Sequence, residues 1–287
     1  MKSHSTQYPI TVMSRVLNVS SSGYYKWLQH KPSLRQQRQV QQETAVKAAH
    51  LKTRETYGYQ RLHAELLAEK HVMSAYKVRT IRQKLGLRCK QVKKFKATTN
   101  SAHDLPVADN LLNQTFTAHR PNEAWVSDIT YIPTDEGWLY LAGIKDIYTC
   151  EIVGYALGER MTKGLCMAAL SLALAHRKPP AGLILHSDRG RQYCAYDYQK
   201  QLTKAGLVPS MSRKGNCYDN APMESFWGSL KNELVHHQRY TTRKKAADEI
   251  TEYIEMFYNR SRRHTRLGNV APALFRQQFE QSQVQSF

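Results

Sequence analysis

The chain changes texture at Pro121. Three stretches rich in β-branched and aromatic residues follow in quick succession: Ala124-Trp-Val-Ser-Asp-Ile-Thr-Tyr-Ile132, Gly137-Trp-Leu-Tyr-Leu-Ala-Gly-Ile144 and Glu151-Ile-Val-Gly-Tyr-Ala-Leu157. They read as strands joined by short turns, an antiparallel meander. An apolar helix from Gly164 to His176 ends at Pro179-Pro180. A buried strand (Gly182–Ser187), a helix (Tyr196–Gly206) and a short strand (Leu207–Met211) come next. Two more helices follow, one opening at Asn220 and one running from Thr242 to Tyr258. This order predicts an α/β domain with a mixed five-stranded sheet.

The part before Pro121 is different. It has no strand signal, and it holds most of the charge. The chain carries 42 Lys/Arg against 23 Asp/Glu. Residues 1–120 hold 21 of those cations and only 6 of the acids, whereas residues 121–287 hold 21 and 17. An excess concentrated in one segment favours a polyanion, and nucleic acid above all. Val12, Val16 and Leu17, a polar turn at Asn18–Gly23, and Tyr24-Tyr25-Lys26-Trp27-Leu28 suggest two short helices. They are compatible with a helix-turn-helix and equally with a small hairpin packed on the rest. A Gln-rich helix runs from about Leu34 to Leu51. A second helical pair starts at Tyr57, and its second helix is capped by Ser74 and closed by Gly86. Lys77, Arg79, Arg82, Lys84 and Arg88 lie on the exposed side of that helix, and Lys90, Lys93, Lys94 and Lys96 continue the run. Such a face suits phosphate contacts beside a groove-reading helix.

Several classes are disfavoured. No run of 18 apolar residues offers a membrane span, and the N-terminus lacks the apolar core of a signal peptide. The five cysteines (89, 150, 166, 194, 217) are scattered without a C-x-x-C pair, which fits a reduced, cytoplasmic chain better than disulfides or structural zinc.

Three carboxylates stand where chemistry is expected. Asp128 interrupts the most apolar strand, where an ionised group is costly unless paired or metal-bound. Asp188 follows the C-terminal end of the buried strand, the usual edge for sites in α/β sheets. Glu224 opens a helix capped by Asn220, with Pro222 in its first turn. Met223, Phe226/Trp227, Leu230 and Leu234 form that helix's buried stripe, and Lys231 lies about 20° from Glu224 around its axis. Singly, each acid has a structural explanation: a turn at Asp188-Arg189-Gly190, a helix-dipole acid at Glu224.

Their order and spacing change that reading. Between Asp128 and Asp188 lie 59 residues, and between Asp188 and Glu224 lie 35. This pattern resembles the catalytic triad of the retroviral-integrase-like DDE recombinases. Local motifs sharpen the likeness: Trp125-x-x-Asp128-Ile-Thr-Tyr-Ile132, Gly137-Trp-Leu-Tyr140, His186-Ser-Asp-Arg-Gly190-x-Gln192-Tyr193, Ser210-Met-Ser-Arg-Lys-Gly-Asn216, Asp219-Asn-Ala-Pro-Met-Glu-Ser225, and Tyr258-Asn259 through Arg263-His264 to Leu267-Gly268. Together they resemble the transposases of bacterial insertion sequences, specifically the second-frame (orfB-type) product of the frameshifting family.

The resemblance implies an RNase H-like catalytic core over residues 121–275, behind a basic helical DNA-binding region (1–100) and a linker (101–120), with a tail at 276–287. It implies that Asp128, Asp188 and Glu224 hold two Mg²⁺ ions, for which Mn²⁺ substitutes. In-line displacement at phosphorus needs such a pair, and Mg²⁺ prefers carboxylate oxygen. Water attacks in donor cleavage and a DNA 3′-OH in joining, so no nucleophilic side chain is sought. Lys231 is expected on DNA phosphate beside the metals. Arg189 and His186 flank Asp188 and are expected to shape the metal shell or touch the DNA backbone. Trp227 reads as packing. Arg260, Arg262, Arg263, His264 and Arg266 suit phosphate contacts or a solvated turn.

The implied partners are element terminal repeats, target DNA, further copies of the chain on DNA, and an upstream-frame protein joined by frameshifting. The His/Cys zinc module of retroviral integrases has no counterpart in the ligand spacing. Two rivals remain: a non-catalytic DNA-binding regulator or remnant from the same reading frame, and a cellular RNase H-like nuclease.

Overall fold

The computed structural model describes residues 1–90, 107–213 and 217–284. The N-terminal part is helical throughout. A short pair, α1 (Ile10–Val16) and α2 (Ser21–Leu28), precedes three longer helices: α3 (Leu34–Lys52), α4 (Tyr59–Ala68) and α5 (Ala75–Lys84). Ser33 and Gln36 form a capping box at the start of α3, and Ser74 caps α5 as its sequence predicts. Val46, Ala49, Leu62, Leu66, Val78 and Ile81 close the three longer helices on one apolar centre. The α1–α2 pair buries only Ser14, so it does not pack on the rest as a hairpin core.

The strands are β1 (Ala124–Thr134), β2 (Gly137–Asp146), β3 (Ile152–Gly158), β4 (Ile184–Ser187) and β5 (Val208–Met211). They form one mixed sheet in the order β3-β2-β1-β4-β5. The β1–β2–β3 meander is antiparallel, and β4 and β5 add in parallel beside β1. Helices α6 (Lys163–Arg177), α7 (Arg191–Cys194) and α8 (Tyr196–Lys204) cover one face. Gly154 lets α6 approach β3 closely, since a Cβ there would lie 2.4 Å from the Ala169 carbonyl.

Helices α9 (Ala221–Glu233) and α10 (Arg243–Glu252) cover the other face. A single π-turn over Tyr253–Tyr258 continues α10, where the sequence suggests an unbroken helix to Tyr258. The last helix, α11 (Pro272–Val284), passes residue 275 without a break, and its Phe275 and Phe279 pack on the Tyr148 ring. Residues 276–284, read from sequence as a tail, are therefore helix, anchored to the core by Arg276 on Glu151 and Phe279 on Tyr148. Residues 107–114, read as linker, are tied to β5: Met211 N donates to Asp109 O at 3.2 Å, and Leu111 N donates to Ser210 Oγ at 2.9 Å. Among the described residues, no helix is long and apolar enough to cross a membrane.

Candidate active site

The parallel pairing of β1 with β4 aligns Ala124 with Ile184, Trp125 with Leu185 and Val126 with His186. Two residues further on, where β4 has just ended, Asp188 comes close enough to Asp128 for their charges to interact, on the face that α9 covers. Asp128 is half-buried. Its Oδ1 accepts from Ile129 N at 2.8 Å and its Oδ2 accepts from Trp227 Nε1 at 2.9 Å. Burial, then the neighbouring Asp188 and, more weakly, Glu224, push its carboxyl up to about 7, against the pull of these two donors. Asp188 Oδ1 accepts from Gly190 N at 2.9 Å, which fixes the turn after β4.

Glu224 projects from the first turn of α9 at an exposed position, and burial raises its carboxyl above the usual range. The structure thus brings Asp128 and Asp188 together, with Glu224 on the approach to them. Among the described residues, no three His, Cys, Asp or Glu side chains already form a closed metal cage. The donor set nevertheless fits a hard divalent cation: oxygen ligands only, with an aspartate pair whose mutual repulsion such a cation would relieve.

The start of α9 is held by long-range bonds that local sequence does not display. Asn220 makes no capping bond with its side chain, contrary to expectation. Its Nδ2 instead donates to the Ser127 carbonyl of β1 at 3.1 Å. The buried Lys145 ammonium donates to the Pro222 carbonyl at 3.0 Å, and burial brings its pKa down to about 8. Asp219 is buried and accepts from Arg213 N, Nε and Nη2, from Asn110 Nδ2 and from Gln114 Nε2, at 2.7–3.2 Å. The Arg213 bonds lead in holding its carboxyl well below the usual range. Small residues in an apolar strand were the available signal for Trp227. Gly143, the cross-strand partner of Asp128, leaves space that the indole fills, and a Cβ there would lie 2.8 Å from Trp227 Cη2. Trp227 is therefore more than packing, because it also fixes Asp128.

The other expected site residues are spread out. Lys231 is half-buried with its ammonium 5.0 Å from the centre of the Tyr131 ring. Burial lowers its pKa, and the charge of Asp128 opposes that shift. Arg189 Nε donates to the Ser212 carbonyl at 2.6 Å. His186 is fully buried, with a serine hydroxyl on each ring nitrogen (Ser210 at 2.8 Å, Ser212 at 3.1 Å), so it ties β4 to the end of β5 and does not line a metal shell. Arg262 is turned inward, donating to Glu233 from Nε at 2.8 Å and from Nη2 at 2.7 Å. Arg263 donates to Glu65 Oε2 at 2.6 Å and to the Asn269 carbonyl, joining the core to α4. These internal ion pairs correct the reading of Arg262 and Arg263 as phosphate contacts. On α5, Arg79 is exposed, Lys77 is half-buried, and Arg82 reaches back to Cys89 Sγ at 3.2 Å. Lys93, Lys94 and Lys96 lie outside the described residues.

Residues 118–217 and 224–279 match the integrase core domain family, and residues 36–95 match an HTH-like domain. The chain is by its core an integrase-type protein carrying a helix-turn-helix-like domain in front. It is 60% identical, over 94% of its own length and 99% of the relative's, to the insertion element IS600 uncharacterized 31 kDa protein of Shigella sonnei. It is 42% identical, over 96% of each chain, to the transposase InsF for insertion sequence IS3A of Escherichia coli. Within the integrase-type proteins, then, the chain belongs to the family of insertion-sequence transposases of the InsF kind. Among solved structures it is similar to the HTLV-2 integrase catalytic core domain in complex with magnesium, at a TM-score of 0.45 and 14% identity, over 56% of this chain and 99% of that one.

Proposed function

We propose that this chain cuts DNA at the ends of an insertion sequence and joins the resulting 3′-OH ends to target DNA, using Mg²⁺ held by Asp128, Asp188 and Glu224. The observation that carries this reading is the register of β1 and β4, which sets two aspartates side by side; burial first, and then the charge of Asp188, push the Asp128 carboxyl up to about 7. When bound, two such ions supply Lewis acidity for in-line displacement at phosphorus, and Mn²⁺ serves in their place. The protein's own contribution is orientation. Trp227 and Ile129 hold Asp128 in one rotamer, and the bonds of Asn220 and Lys145 to backbone carbonyls fix where α9 begins. Lys231 offers a cation to DNA phosphate beyond Glu224. Attack comes from water and then from the DNA 3′-OH, so no covalent protein intermediate is required.

Residues 1–100 serve as the DNA-binding region and residues 121–275, extended by α11, as the catalytic region. Lys77, Arg79 and the run Lys93, Lys94, Lys96 contact phosphate. The active assembly contains several copies on DNA and an upstream-frame protein joined to this chain by frameshifting. It works in the cytoplasm, on the nucleoid. The test is to incubate the chain, and its fusion with the upstream partner, with labelled element ends and Mg²⁺, comparing wild type with Asp188→Asn. Joining by the wild type alone is expected. Equal joining by both would remove the triad assignment, and binding without joining by the wild-type fusion would make the chain a regulator.

A further inference from the structure

The first 42 residues contain Lys2, Arg15, Lys26, Lys31, Arg35 and Arg38 and not one Asp or Glu; Glu43 is the first acid. Within this segment α1 and α2 form a hairpin whose turn is firmly built. Val19 N donates to the Ser14 carbonyl at 3.0 Å, and the Ser20 hydroxyl caps α2 by accepting from Gly23 N. The hairpin is thus ordered by local bonds, yet it leaves its aromatic residues outside. Tyr24 and Trp27, one turn apart, stack with centroids 6.0 Å apart and planes 28° apart, and Tyr25 meets Tyr24 edge-on at 5.6 Å. Trp27 is 60% exposed and Tyr25 52%. The HTH-like match begins at residue 36, so this surface lies outside it.

Exposed rings beside cations, with no acid anywhere in the segment, complement a polyanion that also presents flat π faces. A closed duplex keeps its bases stacked on one another and offers such rings nothing. Bases already unstacked gain a partner. We propose that the α1–α2 hairpin is a platform for unpaired DNA, with Trp27 and Tyr25 stacking on bases and Lys26, Lys31 and Arg15 following the phosphates. This rests on the reading that the chain acts on DNA. It adds a second DNA surface that engages strands opened during cleavage or joining.

The test uses the full chain and its Trp27→Ala and Tyr25→Ala variants, titrated with a fluorescent single strand, a blunt duplex, and the same duplex with an unpaired tail. Both residues are exposed, so truncation leaves the fold in place, which circular dichroism checks. Each variant is expected to bind the single strand and the tailed duplex about 5- to 100-fold more weakly, the worth of one stacked base, with blunt-duplex affinity within about twofold of wild type. Lys26→Gln with Lys31→Gln should flatten the salt dependence on the tailed DNA. Unchanged affinity for the tailed DNA, with normal duplex binding, overturns the platform alone. So does a Trp27→Ala chain that loses self-association while binding DNA normally, which would give the face to a second copy. A wild-type chain that binds no DNA overturns this proposal together with the DNA reading beneath it.

Discussion

The indole N–H of Trp227 donates a 2.9 Å hydrogen bond to Oδ2 of Asp128, across 99 residues of sequence. The bond orients one carboxylate oxygen and pulls against the burial that raises the Asp128 pKa. Trp227→Phe keeps a ring in place and removes only the donor. A hydrogen bond to a charged group contributes about 1.5 kcal/mol at the low end, so joining should fall roughly tenfold. The Mg²⁺ concentration for half-maximal joining should rise as well. A Mg²⁺ titration of joining reads both, and an unchanged midpoint would show that the indole only packs.

Gly143 makes room for that indole. In Gly143→Ala the new methyl would stand 2.8 Å from Trp227 Cη2 and 3.1 Å from Met223 Cε, forcing α9 off the sheet. Overpacking of this kind costs about 1–3 kcal/mol, measurable by urea denaturation. Combining it with Trp227→Phe, which vacates the crowded space, should cost less than the sum of the two changes. Additive losses would mean that the two residues do not share the contact.

Arg262 and Glu233 are both almost fully enclosed, and Glu233 also accepts from the Tyr253 hydroxyl at 2.8 Å. Arg262→Met strands a buried carboxylate and should destabilise the fold by about 3–5 kcal/mol, much of which Glu233→Gln recovers in the double variant. Because Arg262 is internal, the salt slope of DNA binding should not change, whereas Arg79→Gln on the open face of α5 should lower it by about one. A lowered slope for Arg262→Met in the folded protein would return Arg262 to the DNA surface.

His264 gives the fold a pH dependence. Burial leads, and the cations Lys145, Arg262, Arg266 and Arg61 add to it, bringing the imidazole down to about 3 from an ordinary 6.5. Between those values the unfolded chain binds the extra proton and the folded chain does not. Stability therefore rises with pH across that window and is lost on acidification, by up to about 1.4 kcal/mol per pH unit from this residue. Thermal unfolding of His264→Gln should depend less steeply on pH between 6 and 4 than that of the wild type. Parallel curves would assign the acid sensitivity to other groups.

The order of elements was legible because alternating and helical hydrophobic patterns are local. The candidate triad stood out in the sequence as spacing, since Asp128, Asp188 and Glu224 sit at the ends or interruptions of those elements. Side-chain partners were not legible. The run Arg260–Arg266 displays its charge in sequence but not the acids that meet it, and Arg263 finds Glu65 at a separation of 198 residues. Asn220 shows the same limit. A good capping residue lies at the right position, yet a strand carbonyl brought close by the fold takes its amide. Nothing within a few residues of Trp227 announces that its N–H will face a carboxylate, although the glycines in β2 marked the strand as one that something approaches closely.

The alignment of β4 with β1 also bears on how the protein is made. Asp128 leaves the ribosome early, within a meander that can pair locally, and the longer N-terminal helices can close before it. Asp188 acquires its neighbour only when a four-residue strand, synthesised later, docks between β1 and a fifth strand that is not yet complete. A slip of one residue in that docking would turn Asp188 to the opposite face. A chain terminated before β4 therefore lacks the acidic pair, and Glu224 joins it only later still, because α9 follows the last strand of the sheet.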